Sequence, residues 1–237
     1  MFGVYYYQIM KTQAENRMLF LSKLPFFKDL NNEQLEKISP YLKLHKFSAG
    51  DMVCWEGEPS NGVFFVKTGW LKVTKTSEKG RELTLNLLKK GDYFNLISVF
   101  TDNINPADIK VLEDAELYFL DATSFEEFAL SSPVICLSLV RQMAGRVRMM
   151  ADLAGQLSLR NVEMRIASWL LSEAVGDSIE RRKWLTQNEL ASIVGTVPDV
   201  ISRVLREFVE AGLIRFNRRE IKIIDRASLT EKIRNSS

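Results

Sequence analysis

The chain has 237 residues, enough for one large or two modest domains, and a 46% hydrophobic, 26% charged composition is globular rather than disordered. With 32 basic and 30 acidic residues, the total charge gives no sign of a polyanionic partner. One histidine (His45) and two cysteines (Cys54, Cys136) exclude a zinc finger, a four-cysteine iron–sulfur cluster and any site needing two histidines. So few cysteines point to a reduced, cytoplasmic setting.

Residues 1–21 read as an N-terminal extension. Met1 to Met10 are mostly apolar but lack the basic lead and small-residue cleavage site of a secretory signal. No apolar run reaches the ~20 residues a spanning helix needs, so no membrane partner is expected. Asn31-Asn32-Glu33-Gln34-Leu35 reads as a cap and a short helix, which Pro40 ends. From about residue 46, Gly50, Gly57, Gly62, Gly69, Gly80 and Gly91 punctuate short runs of strand formers at 52–55, 63–67, 70–76 and 83–88. Further runs follow at 109–112 and 117–120. Short strands with turn signals predict an all-β barrel or roll.

Ser132 and Pro133 then suit the start of a long helix. Cys136, Leu139, Met143, Arg146, Met150, Leu153 and Leu157 follow spacings of three and four. This stripe fits a coiled-coil seam or packing on the chain's own roll, and either must satisfy Arg146. Asn161 caps another helix, with Val162, Ile166, Trp169 and Leu170 as its apolar side. Residues 176–183 read as a polar loop.

Residues 185–213 carry the chemistry. Thr186-Gln187-Asn188-Glu189 is a capping box, Gly195 permits a sharp turn, and Pro198 opens a second helix with Ile201, Leu205 and Phe208 inside. That is a helix-turn-helix. Asp199, Val200, Ser202, Arg203 and Arg206 fall largely on the open side, suited to base edges and phosphates in a major groove. Two apolar-alternating strands follow, joined by a turn with Arg218 and Arg219 at its tip, near where a phosphate backbone would pass. No phosphate-cradling loop or metal cluster accompanies them, so no enzyme is expected.

Several tracts carry a family resemblance. They are Lys46-Phe47-Ser48-Ala49-Gly50-Asp51, Glu56-Gly57-Glu58, Thr68-Gly69-Trp70-Leu71-Lys72-Val73, Gly80-Arg81-Glu82, Gly91-Asp92-Tyr93-Phe94 and residues 185–214. Over about residues 22–226 the chain resembles the Crp/Fnr superfamily of transcription regulators. The resemblance implies an α+β fold: a cyclic-nucleotide-binding-like double-stranded β-roll (22–131), a dimerisation helix (132–160) and a winged helix-turn-helix (161–237). It implies a homodimer on an inverted-repeat DNA operator, RNA polymerase as a partner if the protein activates, and a small-molecule effector in the roll. The DNA-binding set is then Thr186, Gln187, Thr196, Pro198, Asp199, Val200, Ser202, Arg203, Arg206, Arg218 and Arg219. It favours a dimer seam of Leu139, Met143, Arg146, Met150, Leu153 and Leu157.

An effector pocket would be lined by Phe94, Asn95, Leu96, Ala107, Met150 and Ala151. Cyclic-nucleotide binders carry a Gly-Glu after the Gly-Asp turn, then an Arg for the phosphate. Here the matching tracts are Asn95-Leu96 and Pro106-Ala107, and no Arg lies between Arg81 and Arg141. A buried phosphate would lack its charge-assisted partner, so cyclic AMP is not the expected effector. Two cysteines cannot hold an iron–sulfur cluster. No cofactor is predicted. Haem on His45, a redox role for Cys54 and a roll without any effector stay open as alternatives. Charge also divides: residues 1–132 hold 15 basic and 18 acidic side chains, whereas 200–237 hold 9 and 5.

Overall fold

A computed structural model describes residues 14–25, 27–28, 30–217 and 219–234. Met1 to Met10, Arg218 and the last three residues lie outside these. The described chain forms two compact units. One holds the residues up to Val73 and Leu87–Arg148; the other holds Thr74–Asn86 and the chain from Met149 onward.

In the first unit, helix α1 (14–21) buries Leu21, so part of the expected extension belongs to the core. Helix α2 (Asn32–Ile38) has the reciprocal cap its sequence promised. Asn31 Oδ1 accepts from Gln34 N–H at 2.9 Å, and Gln34 Oε1 accepts from Asn31 N–H at 3.1 Å. The strands are β1 (Lys43–Phe47), β2 (Met52–Cys54), β3 (Gly62–Thr76), β4 (Glu82–Leu88), β5 (Tyr93–Phe94) and β6 (Asp108–Asp121), with β3 from Thr74 and β4 up to Asn86 falling in the second unit. The sheet order is β1-β6-β3-β4, with β2 on β6 and β5 on β3.

The runs expected at 63–67 and 70–76 are one strand. Gly69 does not end it: with φ at 95°, its absent Cβ lets β3 come close to Asp114 and Ala115. A Cβ there would sit 2.6 Å from the Asp114 carbonyl oxygen. The runs at 109–112 and 117–120 likewise join as β6. One core cluster includes Leu21, Phe27, Phe65, Leu120 and Phe125; another includes Cys54, Val66, Leu71, Phe94 and Leu117. Each such aromatic or aliphatic side chain contributes about 1.5–3 kcal/mol when fully buried. Helices α3 (Leu96–Val99) and α4 (Ala122–Leu130) complete the unit's own elements.

Helix α5 (Pro133–Leu159) is continuous, but the division into units falls after Arg148, so 132–160 is not a separate body. Its stripe expected as a dimer seam turns inward over the first half. Leu139 is buried in the core cluster with Phe125 and Ile135, and Met143 packs against it. The Arg146 guanidinium lies 5.6 Å from the centre of the Tyr93 ring and donates to the Tyr93 carbonyl at 3.4 Å. Intrachain packing, the other reading of the stripe, therefore takes these three residues. The physical reason is that α5 has two apolar stripes. The second, Leu137, Val140, Ala144, Val147, Ala151 and Ala154, also alternates spacings of three and four, and every member is exposed.

The second unit contains α6 (Val162–Glu173), β7 (Ser178–Glu180), α7 (Gln187–Val194), α8 (Pro198–Glu210), β8 (Ile214–Phe216), β9 (Glu220–Ile223) and α9 (Arg226–Arg234). Asn161 caps α6 by accepting from Met164 N–H at 3.0 Å. The stretch 176–183, expected as a loop, contains β7, which pairs antiparallel with β9 in the order β7-β9-β8. Three residues are too short for alternation to show in sequence. Ile166, Leu170, Val194, Ile201, Leu205, Phe208 and Ile221 form this unit's core. Among the described residues no single helix is long and apolar enough to cross a membrane.

Candidate nucleic-acid interface and effector region

The reading element is built from its turn outward. Thr186 Oγ1 accepts from Glu189 N–H at 3.2 Å and starts α7. Gly195 ends it in the left-handed region, at φ 75° and ψ 45°. Arg165 secures the turn by donating to the Gly195 carbonyl at 3.2 Å and to the Leu157 and Arg160 carbonyls at 3.3 Å. Burial, then the Arg81 charge, pull the Arg165 pKa down.

Val197 precedes α8, and Pro198 takes its first turn, where no N–H is needed. Ile201, Val204, Leu205 and Phe208 face the core, leaving Asp199, Arg203, Arg206 and Glu207 exposed. Exposed cations and a carboxylate on one helix face are the groups that donate to guanine and phosphate or accept from cytosine. Ser202 is half-buried and donates to the Pro198 carbonyl at 3.0 Å, which leaves its oxygen to accept. Val200 is partly buried against the core, so less of it is open to a thymine methyl. Arg203 faces Glu207, with Nε 4.0 Å from Oε1. Glu207 stands four residues after Arg203 on α8, one turn along. Thr186 and Gln187 are exposed and Thr196 is half-buried.

At the hairpin, Asn217 Oδ1 accepts from the N–H groups of Arg219 and Glu220 at 2.8 and 2.9 Å, closing the turn. Arg219 is exposed; Arg218 is outside the described residues. Arg181, just past β7, was missed by sequence reading because its stretch looked like loop. Its N–H donates to the Arg219 carbonyl at 2.8 Å, and its guanidinium donates to the Asn217 carbonyl at 3.0 Å. The same guanidinium lies 4.4 Å from the centre of the Phe216 ring.

Of the expected effector residues, Phe94, Asn95, Leu96 and Ala107 are buried in the first unit. Asn95 is left-handed (φ 63°), and its Nδ2 donates to Asn105 Oδ1 at 2.8 Å and to Cys54 Sγ at 3.1 Å. Met150 and Ala151 are exposed on the part of α5 that belongs to the second unit. Burial pushes the Cys54 thiol up to about 11, against the Asn95 hydrogen bond and with help from the Glu58 charge. That thiol is protonated at neutral pH, which argues against a reactive redox role. His45 is exposed on β1, 5.8–6.4 Å from the ring centres of Phe47, Phe64 and Phe119. Among the described residues no three His, Cys, Asp or Glu side chains gather as a metal site.

A β-roll, a long helix, a helix-turn-helix and a basic hairpin, in that order, define a DNA-binding transcriptional regulator. The chain belongs to the Crp/Fnr superfamily. Residues 44–132 match the cyclic nucleotide-binding domain family, and 164–232 match the Crp-like helix-turn-helix domain family. The chain is 24% identical over 220 residues to the CRP-like cAMP-activated global transcriptional regulator of Mycobacterium tuberculosis, covering 90% of this chain and 98% of that one. It is 26% identical over 211 residues to the cyclic AMP receptor protein of Thermus thermophilus, covering 87% and 95%. In fold it is similar to FixK2 from Bradyrhizobium japonicum, with a TM-score of 0.74, 20% identity, and 83% and 99% of the two chains covered.

Proposed function

We propose that this chain acts as a homodimer that reads an inverted repeat with Asp199, Ser202, Arg203 and Arg206, under control of an effector other than cyclic AMP. The exposed stripe on α5 is the observation that supports the dimer. Val140 and Val147 are 64% and 70% exposed, and Ala144, Ala151 and Ala154 allow a second helix to approach closely. The proposed seam is Leu137, Val140, Ala144, Val147, Ala151 and Ala154. Val147→Glu should turn a dimer into a monomer in sedimentation, with its circular dichroism unchanged. A Val147→Glu protein that still sediments as a dimer removes this seam.

Half-sites about one helical turn apart follow from two-fold symmetry. Selection of bound sequences from random DNA, with and without cell extract, tests operator symmetry and effector dependence together.

The two relatives are cyclic-AMP proteins by name, but the residues here differ in the tracts that match the ligand-binding ones. Leu96 is 2% exposed where the resemblance expects a ribose-binding Glu, and Asn95 is already bonded to Cys54 and Asn105. Isothermal titration should show no binding of micromolar cyclic AMP; a measured isotherm at that concentration overturns the assignment.

A further inference from the structure

Two loops of the first unit carry an apolar patch that lies outside both the reading element and the exposed stripe of α5. Trp55 is 52% exposed, Phe100 48%, and Ile97 and Ile104 42% each. Single exposed apolar residues are ordinary, but four on two joined loops make a surface. The loops, 55–60 and 97–105, are tied at several points. Gly57 N–H donates to the Asn105 carbonyl at 2.9 Å, Asn105 N–H to the Glu58 carbonyl at 2.9 Å, and Ser60 N–H to the Asn103 carbonyl at 2.7 Å. The buried Asn105 side chain accepts from Asn95 at 2.8 Å and donates to the Pro59 carbonyl at 3.4 Å. Phe100 rests against Phe125 of α4, with ring centres 6.1 Å apart. A face fixed in this way gives up little conformational freedom when something covers it.

Its charge is one-sided. Between Lys46 and Lys67 there is no Lys or Arg, and between Lys90 and Arg141 there is only Lys110, the register partner of Met52 on β2. The same stretches set exposed Glu56, Glu58 and Asp102 beside the apolar residues, and Glu126 and Glu127 are exposed on α4. Asp102 is held in place by accepting from Ile104 N–H at 3.2 Å. We propose that this face is a docking surface for a basic amphipathic segment of another protein. The partner's Lys and Arg meet the acidic rim while its apolar side covers Trp55, Phe100 and Ile104. Charge complementarity selects this occupant. A nucleic acid would be repelled by the rim, and a second copy of the same face would set like charges against each other. An exposed Trp held on a rigid loop is the kind of anchor on which interface affinity concentrates. The proposal needs neither the dimer nor the DNA-binding reading.

The test uses the full chain and a synthetic peptide of about 18 residues, five helical turns, with Leu on one face and Lys on the other. A benzophenone at the centre of its Leu face reports where it sits. Fluorescence anisotropy should show binding that weakens with salt, and irradiation should cross-link the peptide to residues 55–60 or 97–105. Glu56→Lys with Glu58→Lys should lose about tenfold in affinity, and so should Trp55→Ser with Ile104→Ser, both with unchanged circular dichroism. Glu36→Lys with Glu173→Lys makes the same charge change at other exposed glutamates and should bind as the wild type does. A peptide with Glu in place of Lys should not bind. A wild-type chain that fails to bind, cross-links elsewhere, wild-type affinity in either patch variant, or an equal loss in the Glu36→Lys, Glu173→Lys protein overturns the docking surface. Equal binding of the Glu peptide overturns the basic partner. If Glu56→Lys with Glu58→Lys lowers the mass at which the free protein sediments, the occupant is a second copy and the proposal fails.

Discussion

Thr84 Oγ1 lies 2.8 Å from Ser192 Oγ, and both residues are buried. Ser192 has one hydroxyl proton and places it on the Glu189 carbonyl at 3.0 Å. Either hydroxyl can donate the shared bond; with the Ser192 proton on the Glu189 carbonyl, Thr84 donates it. Thr84→Ser keeps that donor. Thr84→Asp buries a carboxylate in place of the hydroxyl and should cost at least about 1–3 kcal/mol. Thermal melting checks this: the serine variant should melt close to wild type and the aspartate variant well below it. Equal melting of the aspartate variant would show that the hydroxyl pair contributes nothing.

Gly195→Ala should be the more damaging change at the turn between α7 and α8. At φ 75° a side chain costs about 1–2 kcal/mol. The new Cβ would also stand 2.7 Å from Leu157 Cδ2 and 3.3 Å from Leu83 Cδ1, so packing must shift. The expected outcome is a loss of about 2–4 kcal/mol in urea unfolding. A loss under 1 kcal/mol would show that Leu157 moves aside freely.

Arg203 and Glu207 form an exposed pair that contributes little to stability. On the proposed reading, their value lies in DNA recognition. Arg203→Ala is predicted to lose about 1–3 kcal/mol of discrimination at one guanine, seen as a relaxed position in the selected consensus. Glu207→Ala frees the guanidinium and should leave the consensus intact while raising affinity. An unchanged consensus for Arg203→Ala would move base reading to another residue.

Cys54 gives a pH signature. Its thiol is raised by burial from 9.0 to about 11, so the folded protein holds a proton that the unfolded chain loses. Stability from this group is full below pH 9 and falls as pH rises toward 11, by roughly 2–3 kcal/mol in all. Cys54→Ala should flatten the decline between those values in urea titrations. At pH 8, iodoacetamide should leave Cys54 unmodified in the folded protein; rapid alkylation there would contradict its burial.

Much of the fold was legible because local chemistry and tertiary structure agree. The Asn31, Thr186 and Asn161 caps, the turn at Gly195 and the apolar face of α8 are all where spacing put them. What was missed had a weak or double signal. Gly69 looked like a strand end but serves a close approach between strands, which only the tertiary partner reveals. Ser178–Glu180 is too short to declare itself. Helix α5 carries two heptad-like stripes, and counting favoured the bulkier one, whose first half (Leu139, Met143 and Arg146) packs within the chain. The open side of the reading helix was visible in sequence; the Arg203–Glu207 pair and the Arg181 buttress depend on which neighbours are within reach.

In the proposed dimer the two stripes of α5 make folding and association inseparable in practice. Leu139 and Met143 use one side of the helix on the chain's own core, while Val140 and Val147 on the other side are exposed and, in the proposed dimer, are covered by a second copy. Ligation by a second chain stabilises only the folded state, so its effect follows mass action. Melting temperature should then climb with protein concentration, and dilute protein should be the less stable. Any comparison of variants must hold concentration fixed, since a change at Val147 and a simple dilution would lower the melting point in the same way.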